Sequence, residues 1–309
     1  MNLCRPTKLN VQTTQRHLPT DTQFANDWLE ERNRFDEAAR NPTVEAAFLR
    51  LAQKHDPFNI IDIGAGNGAV FTYLSPKLPA AQNWTLVDLN PTLLKRARQR
   101  LLLWANGNGY TVEKDEQDYL LFTRQERRLS IQLRQGSFLK LDQILPLEAY
   151  HAVTASAVAD LLSRDMLEDL LRKLHQHQLA FYPTLNYQSM RYLPAEPQDE
   201  AMIEAYERHM QRQQDFGRAL GPSCTTVLRE LATRIYSNPP DEGPSPWVLR
   251  PTDIAMHRHM LAFMEKSIPE IAPKLDVAGW ADHKRQLLKT QQLHLNVEHT
   301  DFFIASPHV

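Results

Sequence analysis

Cysteine is close to absent from this chain of 309 residues, which holds only Cys4 and Cys224. Two thiols supply neither a disulfide framework nor a cysteine-based zinc cluster, and such sparing use fits a reducing compartment. An excess of either charge is missing too. Lys and Arg number 35 against 37 Asp and Glu, so the balance draws the chain neither to nucleic acid nor to a membrane surface. No apolar run approaches the length of a membrane span, and the first residues lack the apolar stretch of a secretory signal. Repeats and low-complexity tracts are absent as well. These absences point to a cytoplasmic globular protein of one elaborated domain or two. Metal ligation is not expected: His175 and His177, like His257 and His259, stand two apart in helical stretches, where side chains diverge by about 200°.

Glycine is scarce, at 10 residues, yet three glycines fall within residues 59–70, NIIDIGAGNGAV. Ile60, Ile61 and Ile63 supply the β-branched bulk of a strand buried on both faces. Asp62 interrupts them, and a carboxylate there is costly unless satisfied, the nearest donors being the N–H groups of the following turn. Gly64, Gly66 and Gly68 let that turn take positive φ and bring backbone against a ligand. A helix opening near Ala69 would aim its free N–H groups at the same place. A second strand is expected over 84–89, WTLVDL, with Asp88 at its carboxyl end, where a carboxylate accepts the hydroxyls of a ribose. Asn90 and Pro91 then start the next helix. Read through Gly64, Gly66 and Ala69, the turn also fits the dinucleotide fingerprint, so an NAD(P)-dependent oxidoreductase is a rival reading.

Asp62 with Gly64, Gly66 and Gly68 resembles motif I of the class I S-adenosylmethionine (SAM) dependent methyltransferases, and Asp88 resembles their motif II. The resemblance implies an α/β fold: a seven-stranded, mostly parallel Rossmann-like sheet with helices on both faces, here with a helical cap inserted after strand five. It implies SAM as cofactor, held by Asp62, Gly64, Ala65, Gly66, Gly68, Asp88 and Leu89. Ser137 and Phe138 would meet the adenine where many members carry an acidic residue. Residues 154–160, with Ala155 assigned to the cofactor, lie at the carboxyl end of the fourth strand and should border the transferred methyl. An acid inside the first strand has no role in the dinucleotide motif, which favours SAM. The stretch after the fourth strand lacks the Asn/Asp-Pro-Pro-aromatic turn of the enzymes that methylate nucleobases, so the acceptor is expected to be a small organic molecule. A methyltransferase-like binding module without catalysis is the third reading.

In chain order, residues 1–20 read as a loose arm and 21–309 as the methyltransferase domain. Residues 21–56 form a helical lid capped by Asp21, with Phe24, Trp28, Leu29, Phe35 and Ala38 near one face. Arg32, Asp36 and Arg40 either make an ion-pair ladder or turn Arg32 toward the cofactor. The basic run Lys95, Arg96, Arg98 and Arg100 reads as a solvated helix face. Strand-like runs follow at 119–123, 129–133, 150–156 and 179–187. Asp160 either orients the acceptor or serves as an acid at a helix N-terminus. Residues 188–221 form the inserted cap, with helical composition over 198–216, Tyr206 and Phe216 among its aromatics, and His209 as candidate general base. A helix capped by Thr252 and a last antiparallel strand over 293–306 complete the expected sheet.

Overall fold

The computed structural model describes residues 22–214 and 217–306. The expected arm at 1–20, the Asp21 cap, the side chain of Phe24 and Phe216 lie outside the described residues. Helices α1 (Thr22–Ala39) and α2 (Pro42–Ala52) lead into β1 (Phe58–Ile63). Then come α3 (Ala69–Leu74), β2 (Ala81–Asp88), α4 (Pro91–Gly107), β3 (Thr111–Asp115), β4 (Tyr119–Arg124) and β5 (Arg127–Gln135). The short α5 (Leu141–Ile144), β6 (Ala152–Ser156), α6 (Arg164–Gln176) and β7 (Ala180–Thr184) finish a seven-stranded sheet of order β3-β4-β5-β2-β1-β6-β7. β5, β2, β1, β6 and β7 run parallel, while β4 and β3 extend the β5 edge as an antiparallel hairpin.

Local chemistry explains the entry points. Asn41 and Asn90 each precede a proline at the first helical turn, and each side-chain carbonyl accepts backbone N–H groups of that turn, at 3.1 Å for Val44 and 2.9 Å for Thr92. In β1 the pleat sends Phe58 and Ile60 into one core with Phe48 of α2, Phe71 of α3 and Leu101 of α4. Ile61 and Ile63 point the other way, toward α6. The basic face of α4 is spent on its surroundings: Arg98 pairs with Asp115 and Arg100 donates to Thr72 Oγ1 at 3.3 Å.

Past β7 the chain departs from the expectation. The run 179–187 is not one strand, because Leu185 takes a left-handed φ of 56° and turns β8 (Asn186–Leu193) out of the sheet. After β8 follow α7 (Asp199–Met210), two-residue strands β9 (Gln213–Gln214) and β10 (Gly217–Arg218), and α8 (Cys224–Tyr236). β11 (Asp241–Pro244), β12 (Trp247–Leu249), α9 (Ile254–Ile271), α10 (Val277–Lys289) and β13 (His294–Phe303) end the fold. Helix α7 therefore stops well short of residue 216, and α9 is preceded by Asp253 rather than capped by Thr252. β13 does not complete the seven-stranded sheet; the β3–β4 hairpin makes up the number. Instead β13 pairs with β8, β11 and β12 in a second sheet, touching β7 through reciprocal backbone bonds between Phe181 and Ile304 at 2.9 and 2.8 Å.

The second sheet is covered by α1, α7, α9 and α10 over a third core that contains Tyr192, Trp247, Met264 and Trp280. Lys284 of α10 is fully buried there, bonded to Glu196 at 2.8 Å and Asp199 at 2.7 Å. A buried cation so paired locks α10 to the start of α7.

Candidate functional site

Strand order reverses at β1: the chain proceeds outward through β2, then returns to lay β6 on the other side of β1. In open α/β sheets this leaves a crevice at the carboxyl ends of the strands. The register aligns those ends, Ile63 standing opposite both Val87 and Ala155.

The glycine turn fills the first wall. Ala65 N donates to Val87 O at 3.1 Å and Gly68 N to Ala65 O at 2.8 Å, folding the backbone back over β2. Gly64 has φ of 61°, and a Cβ on it would stand 2.6 Å from Val158 Cγ2, so close packing as well as conformation demands glycine. Gly66, at φ 55°, is different. A Cβ there would meet only the Gly64 carbonyl at 3.8 Å, so its backbone fronts open space that a ligand can occupy. Asp88 ties this turn to β2: Oδ2 accepts Gly66 N at 2.9 Å and Oδ1 accepts Asn90 N at 2.8 Å. A carboxylate has about four lone-pair sites, so acceptor capacity remains for ribose hydroxyls. Leu89 beside it is 58% exposed, an uncovered apolar surface at the crevice mouth.

Asp62 is fully buried, and its partner is not the turn. Thr154 of β6, opposite it in the parallel register, donates its hydroxyl to Oδ1 at 2.8 Å. Oδ2 has no hydrogen-bond partner, and burial pushes the carboxyl up to about 7, against the Thr154 bond and the Arg40 charge that pull it down. The expected donors, the N–H groups of Ala65, Gly66 and Gly68, are already committed to Val87, Asp88 and Ala65. Thr154 has a signal in the alternation of the strand, but finding it requires the β1–β6 register.

The opposite wall follows β6. Ala155 is buried at its end, and Ala157 adopts φ of 53°, an uncommon conformation for a residue with a Cβ. Asp160 lies in the 3-10 turn Ala159–Leu161, buried, with Oδ1 unpartnered. Burial pushes it up to about 6, while Arg32 acts in the opposite sense. It is not an acid at the start of α6, where Ser163 supplies the cap through Met166 N at 3.3 Å. The returning arm of the insertion covers this turn: Leu220 N donates to Leu162 O at 2.8 Å, and Gly217 packs on Ser163. Tyr206 of α7 stands within electrostatic range of Asp160, its hydroxyl pushed up to about 12 by burial and by Asp160.

The remaining predicted residues divide. Arg32 makes the ladder pair, donating to Asp36 at 3.0 and 3.3 Å, and is also flanked by the rings of Trp28 and Trp247 at 5.7 and 5.3 Å. Arg40 does not extend that ladder; its Nη2 donates to Ser156 Oγ at 3.1 Å. Ser137 Oγ accepts Leu139 N at 3.4 Å, capping the turn that carries Phe138, and Phe138 packs on the second core. His209 is not brought to Asp160 as a free base. Its Nε2 faces Glu270 Oε2 at 3.1 Å and its Nδ1 faces Arg212 at 3.0 Å, and burial with Arg212 lowers its affinity for protons. No helix among the described residues is long and apolar enough to cross a membrane.

No family model matches the chain, and no curated protein matches it in sequence. Solved structures do match. A cyclopropane-fatty-acyl-phospholipid synthase-like protein from Lactobacillus casei is 15% identical and superposes with a TM-score of 0.50, covering 91% of this chain and 93% of that one. A Bacillus halodurans protein described as a methyltransferase is 12% identical with a TM-score of 0.46, over 85% of this chain and 97% of its own. Haemonchus contortus phosphoethanolamine N-methyltransferase 2, solved with phosphomonomethylethanolamine and S-adenosylhomocysteine, is 12% identical with a TM-score of 0.45, over 93% and 58%. The chain has the fold of the class I SAM-dependent methyltransferases.

Proposed function

We propose that this chain is a SAM-dependent methyltransferase acting on a small organic acceptor. The observation that carries the reading is the pairing of an open backbone at Gly66 with Asp88 beneath it, at the carboxyl ends of β1 and β2, beside a buried Asp62 with an unsatisfied oxygen. That donor and acceptor set suits a nucleoside bearing a polar arm. Asp62, Gly64, Ala65, Gly66, Gly68, Asp88 and Leu89 would cradle it, with Ser137 and Phe138 at the base and Ala155 near the reacting carbon. Bound there, SAM supplies a sulfonium methyl for in-line displacement.

The protein's share of the work is positioning and exclusion of water. The arm 217–223, packed on the turn that carries Asp160, supports a role for residues 188–221 as the cover of the acceptor site. Asp160, buried and near neutral in proton affinity, is suited to take the proton of an acceptor hydroxyl or amine, with Tyr206 orienting it. His209, held between Glu270 and Arg212, is not assigned that role.

A thermal-shift titration with S-adenosylhomocysteine beside NAD+ and NADP+ tests the reading. At about 100 times its dissociation constant a ligand adds about 2.7 kcal/mol, roughly a 4 °C shift for a chain of this size. A shift with the homocysteine nucleoside alone is expected. A shift only with a nicotinamide cofactor overturns the proposal in favour of an oxidoreductase.

A further inference from the structure

Arg40 occupies the corner between α1 and α2 and reaches the end of β6, where its Nη2 donates to Ser156 Oγ at 3.1 Å. Its Nε is buried without a hydrogen-bond partner. The ring centroid of Tyr73, on α3, lies 5.6 Å from its guanidinium carbon. Among the described residues no carboxylate forms an ion pair with it. The two nearest candidates are already engaged: Asp36 holds Arg32 and the Trp247 indole, and Asp301 accepts Asn41 N at 2.9 Å and Leu185 N at 2.8 Å. Asp301 and Asp36 act on this guanidinium through space and not by direct ion pairs, so its spare donors have room for a further anion.

Its position says which anion. Ser156 ends β6 and Asp88 ends β2, and β1 lies between those strands. Two strand spacings, about 10 Å, separate these strand ends, so Arg40, held at Ser156, and Asp88 lie on opposite sides of β1. That spacing of the strand ends matches the reach of a sulfonium nucleoside from its ribose to the end of its amino-acid arm. Asp62, within electrostatic range of Arg40, lies between the two sides on β1. We infer that Arg40 receives the α-carboxylate of the methionyl arm of SAM, fixing the cofactor at the end opposite Asp88. The inference rests on the methyltransferase reading, and it explains why the corner of α1 belongs to the site although it is remote in sequence from the glycine turn.

The test is calorimetric titration of wild type, Arg40→Gln and Arg40→Lys with SAM and with its decarboxylated analogue, which differ only in the carboxylate. Wild type is expected to prefer SAM by about tenfold to a hundredfold, Arg40→Gln to bind both alike at the wild-type affinity for the analogue, and Arg40→Lys to fall between. Equal wild-type affinity for the two ligands, or an Arg40→Gln protein that loses affinity for both in step, overturns the assignment and leaves the methyltransferase reading standing. Wild type that binds neither ligand overturns both. If Arg40→Gln fails to fold, the wild-type preference and its erosion in Arg40→Lys decide the matter in the same way.

Discussion

Thr154 donates its hydroxyl to Asp62 across the paired strands β6 and β1, at 2.8 Å, and among the described residues this is the one hydrogen bond to the Asp62 carboxylate, which has no solvent exposure. Thr154→Val keeps the shape and removes the donor. An unsatisfied buried group of this kind costs about 1–3 kcal/mol, more when it is charged. Thermal melts are expected to show a loss in that range, with Thr154→Ser close to wild type.

Two of the buried carboxyls give the ligand-free protein a characteristic pH response. Asp62 is raised to about 7 and Asp160 to about 6 from an ordinary 3.8, in both cases chiefly by burial. Each holds its proton more tightly folded than unfolded. Their contribution to stability is therefore fully present below about pH 4 and is lost as pH rises through about 6 and 7. The steepest slope is about 1.4 kcal/mol per pH unit for each group. Denaturant midpoints taken across that window should fall with pH in the wild type and flatten in Asp62→Asn and Asp160→Asn.

Two glycines separate packing from binding. Gly64→Ala drives a Cβ to 2.6 Å from Val158 Cγ2 and strains a φ of 61°, so a destabilisation of about 1–3 kcal/mol is expected. At Gly66 an added Cβ meets only the Gly64 carbonyl, at 3.8 Å, so the cost of Gly66→Val to the fold lies chiefly in its φ of 55°, while the side chain enters the space assigned to the nucleoside. Its melting temperature should fall less than that of Gly64→Ala while S-adenosylhomocysteine binding disappears. Retained binding in Gly66→Val would show that the cradle lies elsewhere.

Asp88→Ala removes the acceptor of Gly66 N and Asn90 N together. Hydrogen bonds to a charged group contribute about 1.5–3 kcal/mol each. Affinity for S-adenosylhomocysteine is expected to drop at least tenfold by calorimetry, and Asp88→Asn, which keeps one acceptor oxygen, should lose less.

With an acceptor in hand, Asp160→Asn is expected to lower kcat by about 10²- to 10⁴-fold and to abolish an acid limb near pH 6, with cofactor affinity unchanged. His209→Gln should leave the pH profile as it is, because both ring nitrogens are turned to Glu270 and Arg212.

The central layer was legible in the chain because its cues are local. β-branched residues at 60, 61 and 63, the glycines that follow, and the Asn-Pro pairs at 41–42 and 90–91 each act within a few residues. The second sheet was not. Nothing in LAFYPTLNY marks Leu185 as left-handed; that conformation is held by a bond to Asp301, 116 positions away. A continuous strand there leaves β13 a single sheet to join. The site shows the same division. Gly64, Gly66, Gly68 and Asp88 announce themselves by spacing, whereas Thr154 and the reach of Arg40 to Ser156 depend on which strands become neighbours. His209 reads as available in the chain because Glu270, which holds its Nε2, lies on another helix 61 positions away.

Asp301 binds the backbone of Asn41, 260 positions away, and that of Leu185, 116 positions away, with its two oxygens. The corner that carries Arg40 is therefore anchored by a residue of the last strand. A substitution at Asp301 frees that corner and the left-handed turn at Leu185 together, so damage at the end of the chain is felt at its beginning.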